Sequence, residues 1–347
     1  MARSIRSTIF SRSLQRTFKA LTRSAVRAGT KAVKQALVTG KPAARQRVTS
    51  KTTAVRPKAK VTTNLPSGST AGYAGAQRYR LFVPAGARKT ERLPMLVMLH
   101  GCSQSSEAFA ISTRMNQIAA KEGFAVLYPE QNQLANLQGC WNWHQTRSGK
   151  AQTEADTILA TILQVCQRVS VDPARIALAG LSAGASMAAL LAIRHPARFR
   201  AIAMHSGIAP GMAHSLADAL KAMRGHSVAA PLSALTEGTH LPALLVIQGS
   251  ADPLVAPANG LAVAQLWAAR EGANPVRPRS VQRGARHPST LTDYKAKGRL
   301  VSTLCTIQGL GHAWSGGAAS QAYSDPKGPD ASRMVWAFAA KQFAKPV

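Results

Sequence analysis

Ile176-Ala177-Leu178-Ala179-Gly180-Leu181-Ser182-Ala183-Gly184-Ala185-Ser186-Met187 is the stretch on which the reading of this chain turns. An apolar run suited to a buried strand stops at Gly-x-Ser-x-Gly. A small-residue run compatible with a helix, Ala185 to Arg194, follows at once. That pattern predicts a tight strand-to-helix turn with Ser182 at its tip, where glycines two positions either side admit neighbouring backbone. The helix N-terminus beneath the serine would offer free N–H groups to developing negative charge. The bland alternative is a glycine-bounded turn holding an ordinary serine, so the rest of the chain has to decide.

Outward from this stretch, short apolar runs alternate with helix-compatible segments. Strands are expected at Gln77–Val83, Met95–Leu99, Phe124–Tyr128, Arg175–Ala179, Ala201–Met204, Leu244–Gln248 and Leu300–Ile307, with helices up to Lys121 and over 151–169. Such alternation implies one α/β domain with a mostly parallel sheet covered by helices on both faces. In sheets of this kind the reactive groups gather beyond the carboxyl ends of the strands. There the sequence places His100-Gly101-Cys102, then Ser182, then Asp252 three residues past Gly249, then His312 within Gly309-Leu310-Gly311-His312. Serine, aspartate and histidine in that chain order is the α/β-hydrolase order.

These residue types fit acyl transfer. A serine hydroxyl attacks well only when a base removes its proton, a role given to His312 with Asp252 orienting the ring. The N–H groups of Cys102 and Ala183 are the expected oxyanion donors. His100 and His205 are read as shaping the oxyanion loop and filling the core, respectively. Asp156, Asp172 and Asp218 stay open as rival acids, although Asp172-Pro173 reads as a turn or cap. The chemistry needs no metal or cofactor, and no His/Cys/carboxylate spacing resembles a zinc site.

Charge divides the chain. Of 44 Lys and Arg against 14 Asp and Glu, 16 basic residues and no acid fall in residues 1–60, and the first carboxylate is Glu91. Residues 1–38 read as a basic amphipathic arm, with Ile5, Ile9, Phe10, Leu14, Phe18 and Leu21 at helical steps between arginines and lysines. Such an arm suits an anionic surface: a coated granule, a membrane or nucleic acid. A solvated tail is the plain alternative. Residues 39–71, rich in Thr, Lys, Pro and Ser, read as a flexible linker, and 72–347 as the catalytic domain, with 210–240 a cap segment over the site. Basic residues interrupt the first forty positions, so no secretory signal and no membrane-spanning run is expected.

Four motifs carry a resemblance. Leu99-His100-Gly101-Cys102-Ser103-Gln104, Gly139-Cys140-Trp141-Asn142-Trp143, Gly180-Leu181-Ser182-Ala183-Gly184 and Gly309-Leu310-Gly311-His312-Ala313-Trp314-Ser315-Gly316-Gly317 resemble the poly(3-hydroxybutyrate) depolymerase family of esterases, over roughly residues 72–345. The resemblance implies an α/β-hydrolase cleaving ester bonds of hydroxyalkanoate polymers or oligomers, or related feruloyl or acetyl esters. It implies a disulfide between Cys102 and Cys140; Cys166, on an expected helix face, and Cys305, in an expected strand, read from their placement as buried small hydrophobes. A disulfide favours an oxidising compartment, while the missing signal favours an intracellular, granule-associated protein. Trp141, Asn142, Trp143 and Trp314 are candidates to wall an acyl pocket, with packing over the sheet edge as the alternative for the loop tryptophans. Gln248 stands where such hydrolases often have histidine before the glycine of the acid loop. A non-catalytic hydrolase scaffold tethered to a granule or nucleic acid is the second class of function kept open.

Overall fold

The computed structural model describes residues 68–87, 91–226 and 239–345. The expected basic arm therefore lies outside the described residues, as do most of the expected linker and residues 227–238 of the expected cap segment. An antiparallel hairpin, β1 (Ser69–Ala74) and β2 (Gln77–Phe82), begins two residues before the expected linker ends. Next come β3 (Leu93–Leu99), helices α1 (Ser106–Thr113) and α2 (Met115–Glu122), and β4 (Ala125–Pro129). Helix α3 (Lys150–Arg168) precedes β5 (Val171–Leu181), which runs into α4 (Ala183–Arg194). Then follow β6 (Ala201–His205), α5 (Leu216–Met223), β7 (Ala243–Gly249) and α6 (Ala258–Arg270). Short strands β8 (Asn274–Pro275) and β9 (Arg279–Val281) lead to the hairpin of β10 (Ser289–Ala296) and β11 (Arg299–Ile307). Two-residue strands β12 (Trp314–Ser315) and β13 (Ser324–Asp325) and helix α7 (Ala331–Phe343) follow.

The main sheet runs β1-β2-β4-β3-β5-β6-β7-β11-β10-β8, with β9 beside β10. From β4 through β11 every neighbouring pair is parallel, and the antiparallel pairs lie at the two edges. The apolar runs are continuous because these strands are covered on both faces. Alternate side chains of β3 show it: Met95, Val97 and Leu99 join one core, Leu96 and Met98 the other.

The first core packs under α3, α4 and α6. Helix α3 turns Ala151, Ala155, Ile158, Ile162 and Val165 inward at three- and four-residue steps. Helix α4 is buried almost all round, which its Ala and Gly residues permit by letting the backbone approach the sheet closely. The second core holds Phe109, Met115, Val335 and Phe338 from α1, α2 and α7. Where the sequence predicts one helix up to Lys121, the structure breaks it at Arg114, whose φ is 53°. The guanidinium of Arg114 then bonds the carbonyl of Gly316, so the break ties these helices to the loop carrying His312.

Candidate active site

Parallel strands β3, β5, β6, β7 and β11 are adjacent and end on the same side of the sheet, with Leu99 level with Gly180, Leu181 with His205, His205 with Ile247, and Gly249 with Ile307. Everything that follows these ends is therefore brought together.

Ser182 sits at the junction of β5 and α4 with φ 56° and ψ −120°, a backbone conformation L-residues avoid. Its N–H donates to the carbonyl of His205 at 2.9 Å. The glycines on either side are required by contact. A Cβ on Gly180 would lie 2.4 Å from the Gly184 carbonyl, and one on Gly184 would lie 2.2 Å from the carbonyl oxygen of Leu99. The turn is thus pressed against the end of β3, and the space beside Gly101 opens onto Ser182.

Asp252 and His312 are joined. His312 Nδ1 lies 2.8 Å from Asp252 Oδ2, with the carboxylate fully buried. Asp252 Oδ1 accepts the N–H groups of Leu254 and Val255, both at 2.9 Å, and Gln248 Nε2 reaches Oδ2 at 3.4 Å and the carbonyl of Val255 at 3.1 Å. Burial pushes the carboxyl pKa up. The hydrogen bond and charge of His312 and the two backbone donors outweigh burial and hold it below the usual aspartate range. Gln248 thus braces the loop that carries Asp252. Among the described residues, no hydrogen bond joins Ser182 Oγ to the His312 ring, whose Nδ1 is engaged by Asp252.

The rival acids are engaged elsewhere. Asp156 pairs with Arg194 and His195 at the surface, Asp172 with Arg175, and Asp218 lies in the first turn of α5.

The loop after β3 is held from several sides. Neutral His100, its pKa lowered by burial, accepts the Gln131 N–H at Nε2, and its Nδ1 lies 2.8 Å from the Gly101 carbonyl. A disulfide joins Cys102 to Cys140, with Cα atoms 4.3 Å apart, and the Ser103 N–H donates to the carbonyl of Gln138 at 2.8 Å. Within this network the N–H of Cys102 has no internal acceptor among the described residues. The N–H of Ala183 opens α4, so no helical carbonyl lies four residues back to receive it.

The tryptophans serve as supports here. Trp141 is 1% exposed and donates from Nε1 to the carbonyl of His100 at 3.1 Å. Asn142 is fully buried and bonds the carboxylate of Glu154 through both its backbone and side-chain N–H groups. Trp143 is 9% exposed and packs in the same core. Trp314 is buried edge-on to Phe109 and donates to Ser332 Oγ at 3.0 Å. Buried and bonded in this way, these side chains brace the loops that follow β3 and β11. For the loop residues this is the packing alternative. The support given by Glu154 and by the His205 carbonyl depends on contacts between distant segments, which no local pattern signals.

Of the expected cap segment, the described part is fastened beside the acid loop. The Ala256 N–H donates to the carbonyl of Met223 at 2.7 Å, and His214 Nδ1 lies 2.6 Å from Thr146 Oγ1. Among the described residues no cluster of three or more His, Cys, Asp or Glu is placed to hold a metal ion.

The chain is 31% identical over 186 residues to poly(3-hydroxyalkanoate) depolymerase C of Paucimonas lemoignei, a match covering 51% of this chain and 44% of that protein. It is 24% identical over 220 residues to acetylxylan esterase A of Emericella nidulans, covering 59% and 70% of the two chains. Among solved structures, an acetyl xylan esterase from Aspergillus awamori superimposes with a TM-score of 0.57 at 18% identity, covering 70% of this chain and 93% of that one, a likeness of fold. The architecture is the α/β-hydrolase fold. The sequence model of the family described as esterase PHB depolymerase matches residues 77–272, a span holding Cys102, Ser182 and Asp252 and ending before His312. With more than half of its length in that match, the chain belongs to the esterase PHB depolymerase family.

Proposed function

We propose that this chain is a serine carboxylic ester hydrolase in which Ser182 is the nucleophile, His312 the base, Asp252 its orienting partner, and the N–H groups of Cys102 and Ala183 the oxyanion donors. The observation that carries the reading is the buried Asp252–His312 pair set beyond the same sheet end as a serine on a strained turn. With Nδ1–H committed to Asp252, the ring presents Nε2 as the acceptor, the tautomer needed to take the serine proton.

In the acylation step Ser182 Oγ bonds to the ester carbonyl carbon while its proton passes to His312 Nε2. The carbonyl electron pair moves to oxygen, where the two backbone donors hold it, each contributing about 3 kcal/mol to the barrier reduction. Collapse expels the alkoxide, which takes the proton from His312. Water repeats the sequence on the acyl-enzyme, releasing the acid and regenerating Ser182. Neither step needs a metal or cofactor.

Esters of short hydroxyalkanoates, as oligomers or polymer, are the proposed substrates. The relationship to a named depolymerase supports this, and so does the surface of the site loops. Leu134 and Leu137, 93% and 92% exposed, ride on the loop bridged to Cys102, and exposed Leu254 adjoins Asp252. Large apolar side chains left in water on site loops suit an apolar ester chain. The test compares release of 3-hydroxybutyrate from its oligomers with release of acetate from acetylated xylan. Faster turnover of the oligomer is expected, and exclusive action on acetylated xylan would refute the substrate assignment.

A further inference from the structure

His205 is 1% exposed and takes no part in the steps above, yet the three segments that carry the proposed triad meet on it. Its carbonyl accepts the N–H of Ser182 at 2.9 Å. In the sheet it stands between Leu181 and Ile247, and the N–H of the next residue, Ser206, donates to the carbonyl of Ile247 at 2.9 Å, on the strand that leads to Asp252. Its ring reaches the third segment: Nε2 accepts the N–H of Ser315, three residues past His312, at 3.2 Å.

We infer that His205 is a positioning residue whose Nε2, by accepting the Ser315 N–H, sets the placement of the His312 loop relative to Ser182. The inference rests on the triad assignment made above. Its chemistry requires a ring with an acceptor at Nε2 and a donor at Nδ1, and the surroundings select that form. Nδ1 lies 3.2 Å from Ser206 Oγ, and the ring stacks on Trp314 with centroids 5.2 Å apart at 29°. A protonated ring would set a second N–H against that of Ser315. The surroundings disfavour that form: burial first, then the nearby charge of His312, partly opposed by Asp252, together lower the His205 pKa to about 3. Trp314, the ring's stacking partner, lies between His312 and Ser315 in the chain, so ring and loop pack as one unit.

A residue that only filled the core could be replaced by an apolar ring of similar size, whereas a positioning acceptor could not. The test uses the full chain with p-nitrophenyl butyrate, rates being expressed per active site titrated with an organophosphonate. His205→Phe keeps the ring and loses the acceptor. His205→Gln restores an oxygen within reach of the Ser315 N–H. The expected result is a fall in kcat of about 10- to 100-fold in His205→Phe with KM little changed, in line with a base displaced by about an ångström, and recovery of most of that loss in His205→Gln. An unchanged kcat per site in folded His205→Phe, or equal losses in both variants, would overturn the inference. Nitrogen NMR of the wild-type ring tests it without any variant. An unprotonated Nε2 and a protonated Nδ1 are expected, and a protonated Nε2 near neutral pH contradicts the role. Ser182→Ala separates the two readings: turnover surviving there would sink the triad and the positioning role together, while its loss beside a fully active His205→Phe sinks the positioning role alone.

Discussion

Replacing Ser182 by glycine should make the protein more stable than replacing it by alanine, although both variants lose the proposed nucleophile. The backbone at Ser182, with φ 56° and ψ −120°, is costly for any residue with a Cβ. Residues held in such regions cost of the order of 1–3 kcal/mol. Alanine keeps that cost and glycine removes it. Glycine also returns about 0.5–1 kcal/mol to the unfolded chain through its greater freedom there. The net expectation is that Ser182→Gly exceeds Ser182→Ala by about 1 kcal/mol, equivalent to a Tm difference of roughly 2–4 °C in a domain of this size. Loss of the hydroxyl is common to both variants, so it cancels. Thermal and urea unfolding of the two proteins at one pH measure the difference directly. If Ser182→Gly proves less stable than Ser182→Ala, the turn is not strained, and this fold does not store strain at the proposed nucleophile.

Three further outcomes are expected. Gly184→Ala should lower stability by roughly 1–3 kcal/mol and also cut activity, because its Cβ would lie 2.2 Å and 2.5 Å from the carbonyl oxygens of Leu99 and His100, the backbone that leads into the oxyanion loop; calorimetry and ester assays on the folded variant check both effects. Reducing the Cys102–Cys140 disulfide frees a loop with a sequence separation of 38, worth up to about 4 kcal/mol by chain entropy, and loosens the proposed oxyanion donor at Cys102; dithiothreitol should therefore slow wild-type turnover and leave a Cys102→Ala/Cys140→Ala double variant unaffected. For pH, the His205 value of about 3 lies below its ordinary 6.5, so as pH falls below about 6.5 the unfolded chain takes up a proton that the folded chain refuses, and stability present above that pH is lost down to about pH 3. Asp252, also lowered, acts in the same direction at more acid pH. Thermal melts of wild type and His205→Gln between pH 7 and 4 should show the shallower decline in the variant.

The strands that carry the site are legible in the sequence because each is an apolar run buried on both faces, and because the carboxyl ends of a parallel sheet collect whatever follows them. The proposed triad of Ser182, Asp252 and His312 is read from the sequence for that reason, each lying within five residues of the end of such a run. The outer antiparallel strands are harder to read. β10 has only Ser289 and Tyr294 buried and alternates with polar residues, so it lacks the signature of the central strands. The break at Arg114 also escapes local reading, since a long-range bond from its side chain to Gly316 accompanies it. The tryptophans show the same limit. Indoles in a loop read equally as pocket walls or as packing, and only the assembled contacts, Trp141 on the His100 carbonyl and Trp314 on Ser332, distinguish the two. His205 is the clearest case: as a lone histidine after an apolar strand it reads as filler, and its three-way contact exists only once β5, β6 and the His312 loop are in place.

The central claim, that Ser182 attacks esters with His312 as its base, is tested most directly by identifying the residue that an active-site phosphonate modifies. The full chain is treated with a fluorophosphonate, residual p-nitrophenyl butyrate hydrolysis is followed, and the adduct is located by peptide mass spectrometry. One adduct per chain, on Ser182, forming in step with loss of activity and absent or strongly slowed in His312→Ala, is the predicted result. Modification at another serine, or full activity in a protein quantitatively labelled at Ser182, would contradict it.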